Sequence, residues 1–188
     1  MENDAGLLKR YIGDGIEARR SVDPEKIVEV SRILHERLER GGKLITFGNG
    51  GSAADSQHFA AELSGRFLRE RRSLPAIALT TNSSSITAIG NDYDYSEVFS
   101  RQVEGLCKEN DFVVGISTSG NSRNVIRGIE IARGKGAFTL GLTGKNGGRL
   151  AHAADECIKV DSDSTPIIQE VHIAIIHMIC YTLDGLLK

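Results

Sequence analysis

Two periodicities alternate along the chain. Ile27, Val30, Leu34 and Leu38 recur at helical spacing after Asp23-Pro24, a pair that reads as an N-cap followed by proline at the first helical position, and Gly41-Gly42 stops the run. An earlier helix is expected from about Gly6 to Arg20. Beyond the glycines the pattern changes. Short runs rich in Val, Ile or Leu cover Leu44 to Phe47, Ala76 to Leu79, Phe112 to Ile116 and Phe138 to Leu142, each closed by a polar or glycine-rich turn. A weaker fifth run ends at Val160, and helical segments separate all five. Apolar without strict alternation, these runs read as strands buried on both faces, and their alternation with helices predicts an α/β fold with a parallel sheet between two helical layers. The last strong segment, Pro166 to Leu187, carries Ile167, Ile168, Val171, Ile175, Ile176, Ile179 and Leu183. That apolar surface is too wide for one core-facing stripe, so a second buried face at a subunit interface is expected.

A length of 188 residues with 40% hydrophobic positions fits a single domain, with N-terminal helices over 1–40 and an α/β core over 41–188. The net charge of -2 and pI near 6.2 supply no whole-chain field for nucleic acid or an anionic membrane, so neither is expected as a partner. An anionic substrate needs local donors instead. Cys107, Cys157 and Cys180 are scattered, odd in number and without metal-ribbon spacing, which fits reduced thiols in a cytoplasm. The stretch Met1 to Gly6 lacks a basic region followed by an apolar one, and no run of about 18 apolar residues occurs, so neither secretion nor membrane insertion is expected.

In an open parallel sheet the ligand lies beyond the carboxyl ends of the strands, which directs attention to the loops there. Gly48-Asn49-Gly50-Gly51-Ser52 follows the first strand and precedes a helix beginning Ala53-Ala54-Asp55. Its glycines admit close approach of backbone amides to a ligand, and Asn49 and Ser52 add side-chain hydrogen bonds. It lacks the lysine of a P-loop and the spacing of a dinucleotide fingerprint. A tight turn with a serine cap is the plain alternative. Ser117-Thr118-Ser119-Gly120-Asn121-Ser122 follows the third strand and precedes a helix from Arg123 to Arg133. Four hydroxyls and several amides at a helix N-terminus make a site for a phosphate, where capping alone needs one serine. The missing lysine points to a phosphorylated metabolite rather than a nucleoside triphosphate with magnesium.

Titratable groups sit nearby in sequence. His58 and Glu62 are four apart on one helix face, with Asp55 three residues before His58. On the last helix Gln169 and His177 are eight apart, with Glu170 and His172 between them, interrupting an otherwise apolar surface. His35, on the polar side of an N-terminal helix, and His152, in a short helix, read as structural. Singly, each of the others has an ordinary reading as a core histidine or a surface ion pair. Together, two histidines, a glutamate and a glutamine also make a set for tetrahedral zinc, without the H-E-x-x-H spacing.

Taken in order, Gly48-Asn49-Gly50-Gly51-Ser52-Ala53-Ala54-Asp55-Ser56-Gln57-His58, Ile116-Ser117-Thr118-Ser119-Gly120-Asn121-Ser122, Leu142-Thr143-Gly144 and Ile168-Gln169-Glu170-Val171-His172 resemble the sugar isomerase (SIS) fold. Closely, they resemble the phosphoheptose isomerases, which convert sedoheptulose 7-phosphate to D-glycero-D-manno-heptose 7-phosphate. The resemblance runs over nearly the whole chain. It implies a five-stranded parallel sheet with an N-terminal helical extension, in a cytoplasmic homotetramer with active sites at subunit interfaces. It places the phosphate on Ser117, Thr118, Ser119 and Ser122, and the sugar on Asn49, Gly50, Gly51, Asn91 and Asp92, with Ser52, Glu62 and Gln169 also in the substrate site. It further implies one zinc per subunit on His58, Glu62, Gln169 and His177, and nucleotide-activated heptose as the downstream product.

Moving a carbonyl between the first two carbons takes a proton from one and delivers it to the other through an enediolate. Glu62 is expected as the base and His177 as the group that polarises the oxygen, with zinc able to serve as a Lewis acid. Glu62 cannot be both a tight ligand and a free base, so zinc is an expectation the mechanism does not require. Two rivals stand. A related SIS-fold family binds the bacterial replication initiator, and resembles this chain in a stretch such as Ser73-Leu74-Pro75-Ala76-Ile77-Ala78-Leu79, but has lost the acid and base positions. An isomerase or sensor for another sugar phosphate, such as a hexose phosphate, would carry much the same phosphate loop.

Overall fold

Leu44–Gly48 (β1), Ala76–Ala78 (β2), Phe112–Ser117 (β3), Phe138–Gly144 (β4) and Glu156–Val160 (β5) form one parallel sheet in the order β2-β1-β3-β4-β5. The structure is a computed structural model and describes residues 4–187. Leu44 faces Ala76 on one side and Phe112 on the other, and Phe112 faces Phe138. The helices are Asp4–Arg20 (α1), Pro24–Glu39 (α2), Gly51–Ser64 (α3), Ser83–Asp92 (α4), Ser100–Leu106 (α5), Arg123–Gly134 (α6), Leu150–Ala153 (α7) and Thr165–Leu186 (α8), with a 3-10 turn at Tyr95–Glu97. Asp23 caps α2 as expected, its carboxylate accepting from the Glu25 amide at 2.9 Å, and proline opens the helix.

Successive strand residues serve opposite cores, which is why the strands read as continuous apolar runs. Leu44, Phe112, Val114, Ile116, Leu140 and Leu142 pack under α2, α3 and α8, whereas Ile45, Phe47 and Val113 pack under α5, α6 and α7. The N-terminal helices are part of the first layer: Ile27, Val30, Leu34 and Leu38 of α2 are buried in the same core as α8.

That packing corrects the expectation for the last helix. The second apolar face of α8 is covered by α1, α2 and α3 of the same chain, and no subunit interface is needed to bury it. By length and composition α8 is apolar enough to cross a membrane, but Gln169, Glu170 and His172 interrupt it and half of that stretch is buried inside the fold, as in a core helix. Apolar surface left exposed includes a stripe on α1, at Leu7, Leu8, Ile12 and Ile16, and Tyr181 on α8 itself. His35 also departs from expectation: it is half-buried, with Nδ1 enclosed and unpartnered, rather than turned to the polar side.

The sheet order places the site. From β1 the chain leaves to β2 on one side and to β3 on the other, so the order reverses between β1 and β3, and the crevice at their carboxyl ends is where such a sheet binds a ligand. Both loops singled out above open there.

Candidate active site

Neither helix at the switch point is capped by a side chain, which removes the plain alternative for both loops. The N-cap of α3 is Gly50, with φ +55, and the N-cap of α6 is Ser122, whose hydroxyl makes no capping bond. β1 can turn so sharply only because Gly48 lacks a Cβ, which would meet Ser52 Cβ at 2.8 Å and the Ile116 carbonyl at 2.9 Å. Ser52 is buried behind this turn, 3% exposed, so its contribution to the site is its amide and not its hydroxyl. The hydroxyls of the second loop bond to one another and to loop amides. Ser117 Oγ donates to Ser122 Oγ at 3.0 Å and lies 3.5 Å from Ser119 Oγ, which accepts from the Asn121 amide at 3.2 Å. The Thr118 carbonyl takes the Gly144 amide at 2.9 Å and fixes the loop to β4. With the amides at the start of α6, the arrangement is a preformed anion cradle.

A buried pair that sequence reasoning missed joins the two loops. Asn49 Nδ2 donates to Asn124 Oδ1 and Asn124 Nδ2 donates to Asn49 Oδ1, both at 2.9 Å, and the Tyr95 hydroxyl adds a bond to Asn49 Oδ1 at 3.2 Å. Nothing local announces the pair: within α6 Asn124 Oδ1 also accepts from the Val125 amide at 2.9 Å, an ordinary role for an asparagine in a first helical turn. Asn91 and Asp92, at the end of α4, bond to each other at 2.9 Å and remain exposed, so the chain does not by itself bring them onto the loops.

The two helical patches do meet. His58 Nε2 lies 2.9 Å from His177 Nε2 and 3.2 Å from Glu62 Oε1, and the donor atoms of all three fall within 4.8 Å of one another. Glu62 Oε2 has no partner among the described residues. At that distance one ring nitrogen can donate to the other, and two imidazole nitrogens with a carboxylate oxygen suit a divalent transition metal. His177 is held by Phe67, whose ring centroid lies 5.6 Å away. Phe67 in turn belongs to a segment pinned to the end of α8, where buried Asp184 accepts from the Leu68 and Arg69 amides and from Arg71 Nε at 3.0 to 3.1 Å. Arg71 also donates to the Glu62 carbonyl at 2.7 Å, so one cation ties both walls.

Gln169 is not in that cluster. It lies two turns along α8 from His177, about 12 Å by helical rise, and its amide packs against Gly51, where a Cβ would sit 2.8 Å from Cδ and 3.0 Å from Oε1. Within one chain the expected four-residue metal set therefore reduces to three, and Gln169 belongs with the first loop. Asp55 is partly buried with Oδ2 unpartnered, and burial raises its pKa to about 6, against an opposing pull from His58. His172 is fully buried against the Thr143 carbonyl at 3.2 Å, and burial lowers its pKa to about 4, so it is a neutral core residue.

The SIS domain model matches residues 10–144. A probable phosphoheptose isomerase from Thermoplasma acidophilum is 58% identical over 94% of this chain and 97% of its own length. The chain belongs to the phosphoheptose isomerase family. A phosphoheptose isomerase from Aliarcobacter butzleri is 53% identical, over 86% of this chain and 85% of its own. The structure of the phosphoheptose isomerase from Neisseria gonorrhoeae superposes with a TM-score of 0.87 at 40% identity, covering 95% of this chain and 97% of that one. The SIS match ends at Gly144, before α8, while the phosphoheptose isomerase relatives extend over nearly the whole chain.

Proposed function

We propose that the chain isomerises D-sedoheptulose 7-phosphate to D-glycero-D-manno-heptose 7-phosphate, with the phosphate on the Ser117–Ser122 loop and the carbonyl end between Glu62 and His177. The observation that carries the reading is the closure of His58, Glu62 and His177 from two helices, in a chain whose relatives are named phosphoheptose isomerases. Glu62 Oε2, without a partner among the described residues, takes the proton from one carbon and returns it to its neighbour, while His177 faces the oxygen on which charge develops. Gln169 and the Gly50–Ser52 amides hold the sugar hydroxyls, and Asn49 is kept in place by Asn124. The alternative, a non-catalytic binder of the replication initiator, requires the acid and base positions to be lost, and both are present.

His58, Glu62 and His177 would fit zinc, with Glu62 offering only Oε1, the oxygen beside His58, and keeping Oε2 as the base; a bound zinc would supply Lewis-acid stabilisation of the developing oxygen charge, and the proton transfer does not require it. A cytoplasmic homotetramer is supported by the free cysteines and by the exposed Leu7, Leu8, Ile12 and Ile16 on α1, and the nucleotide-activated heptose route is the family's downstream use. The test is Glu62→Gln. It should lower turnover of sedoheptulose 7-phosphate by about 100-fold or more with the melting curve unchanged. Near-native turnover removes Glu62 from the chemistry.

A further inference from the structure

A second cationic feature lies apart from the serine loop. On the outer face of α6 a cleft of about 650 Å3 is lined by Arg123, Ile126, Arg127, Glu130, Ile131 and, from the turn before α7, Arg149. Three guanidiniums thus face one carboxylate. Arg127 is matched, pairing with Glu97 at 2.5 Å. The side chains of Arg123 and Arg149 have no ion pair or hydrogen bond among the described residues. Asp94 nearby, held below the usual carboxylate range first by hydrogen bonds from Ser96 and then by Arg123 and Arg127, offsets part of this charge without forming an ion pair with either, so the guanidinium N–H donors of Arg123 and Arg149 stay available.

The cleft is also built in advance. The Arg149 amide donates to Asn121 Oδ1 at 3.1 Å and the Leu150 amide to the Gly120 carbonyl at 2.9 Å, so the wall carrying Arg149 is fixed to the loop that starts α6. Gly120, at φ +65, lies so close to Gly147 that any Cβ would overlap its carbonyl, which keeps the two loops in register. Two unmatched guanidiniums around one space favour a ligand with at least two negative charges, and their planar forks suit phosphoryl oxygens. The volume falls in the range of small-molecule sites. Ile131, 39% exposed, offers an apolar ledge beside the edge of Ile126, which is otherwise buried in the core, and Glu130 can accept only from donors such as hydroxyls.

We propose that this cleft is a second ligand site, distinct from the isomerase site, for a diphosphate ester of a hydroxylated organic group. The diphosphate lies on Arg123 and Arg149, the organic body on Ile126 and Ile131, and its hydroxyls on Glu130. None of these residues belongs to the proposed catalytic set, so occupancy and turnover are separable. The probe is ADP, titrated calorimetrically into the full chain, with inorganic pyrophosphate as the comparison. ADP should bind with Kd below about 1 mM and more tightly than pyrophosphate. R123A/R149A should weaken it at least about tenfold, R149A alone should weaken it while leaving kcat/KM for the sugar phosphate unchanged, and S119A/S122A should leave ADP affinity unaltered. Undiminished ADP binding in R123A/R149A, loss of it in S119A/S122A, or no saturable binding to the unaltered chain overturns the proposal. Pyrophosphate binding as tightly as ADP overturns the role of the organic group.

Discussion

Replacing Gly51 by alanine puts a methyl group into the space that holds the Gln169 amide. The new carbon would meet the Gln169 amide nitrogen first, then Cδ at 2.8 Å and Oε1 at 3.0 Å, where ordinary contact begins near 3.4 Å, so the amide end must retreat by up to roughly 1 Å. Because the clash is with the end of a flexible side chain, the fold has an inexpensive escape. Gly51 opens α3 and is not in the left-handed region, so alanine itself is acceptable to the backbone there and lowers the entropy of the unfolded chain. Stability should therefore stay within about 1 kcal/mol of the unaltered protein. Activity should not: a misplacement of about 1 Å in a positioning group costs up to about 100-fold. The assay is kcat/KM for sedoheptulose 7-phosphate with thermal melts in parallel, on Gly51→Ala, Gln169→Ala and the double variant. Gly51→Ala should fall 10- to 100-fold, roughly as far as Gln169→Ala, and the double variant should fall little further, because both act through one side chain. Native kcat/KM in Gly51→Ala would show that the position of Gln169 is irrelevant to turnover. Additive losses would show that Gly51 acts by another route.

Two buried groups give opposed signatures in acid. His172 has its pKa lowered by burial to about 4, so as pH falls from 6.5 the unfolded chain takes up a proton that the folded chain refuses, and stability is lost down to about pH 4, by roughly 3 kcal/mol in all. Asp55 has its pKa raised to about 6, so the folded chain takes up a proton before the unfolded one and stability is gained as pH falls from 6 toward 3.8. In metal-free protein followed by urea melts with circular dichroism, His172→Phe should therefore flatten the acid limb and Asp55→Asn should steepen it; identical limbs in the two variants contradict the assigned burial. On α1, Ile12→Asp should dissociate the assembly in light scattering with little cost to the subunit's own fold, since Ile12 is 60% exposed, and a native chain already monomeric at micromolar concentration contradicts the proposed tetramer.

The layer order and the start of α2 were legible because both are written in local chemistry. Asp23-Pro24 caps α2 where expected, and the apolar runs mark all five strands, since each strand is buried on both faces and needs no polar alternation. The wide apolar surface of α8 was read correctly as two buried faces and wrongly as one subunit contact. Periodicity reports how much of a helix is buried but not by what, and here α1, α2 and α3 do the covering. The same limit applied to the site. Spacing places His58 with Glu62 on one face, but only packing brings His177 within 2.9 Å of His58 and leaves Gln169 two turns away against Gly51. The Asn49–Asn124 pair and the Arg71–Asp184 tie had no local signal at all, because each joins residues more than 70 positions apart.

Conversion of D-sedoheptulose 7-phosphate by the purified chain, in a coupled assay for the aldose product run with and without chelator, tests the proposed chemistry most directly. Turnover of this ketose phosphate well above that of a hexose ketose phosphate is the result predicted, with a fall on chelation if His58, Glu62 and His177 hold zinc. No product under either condition, from a folded chain that binds the phosphate, would contradict it.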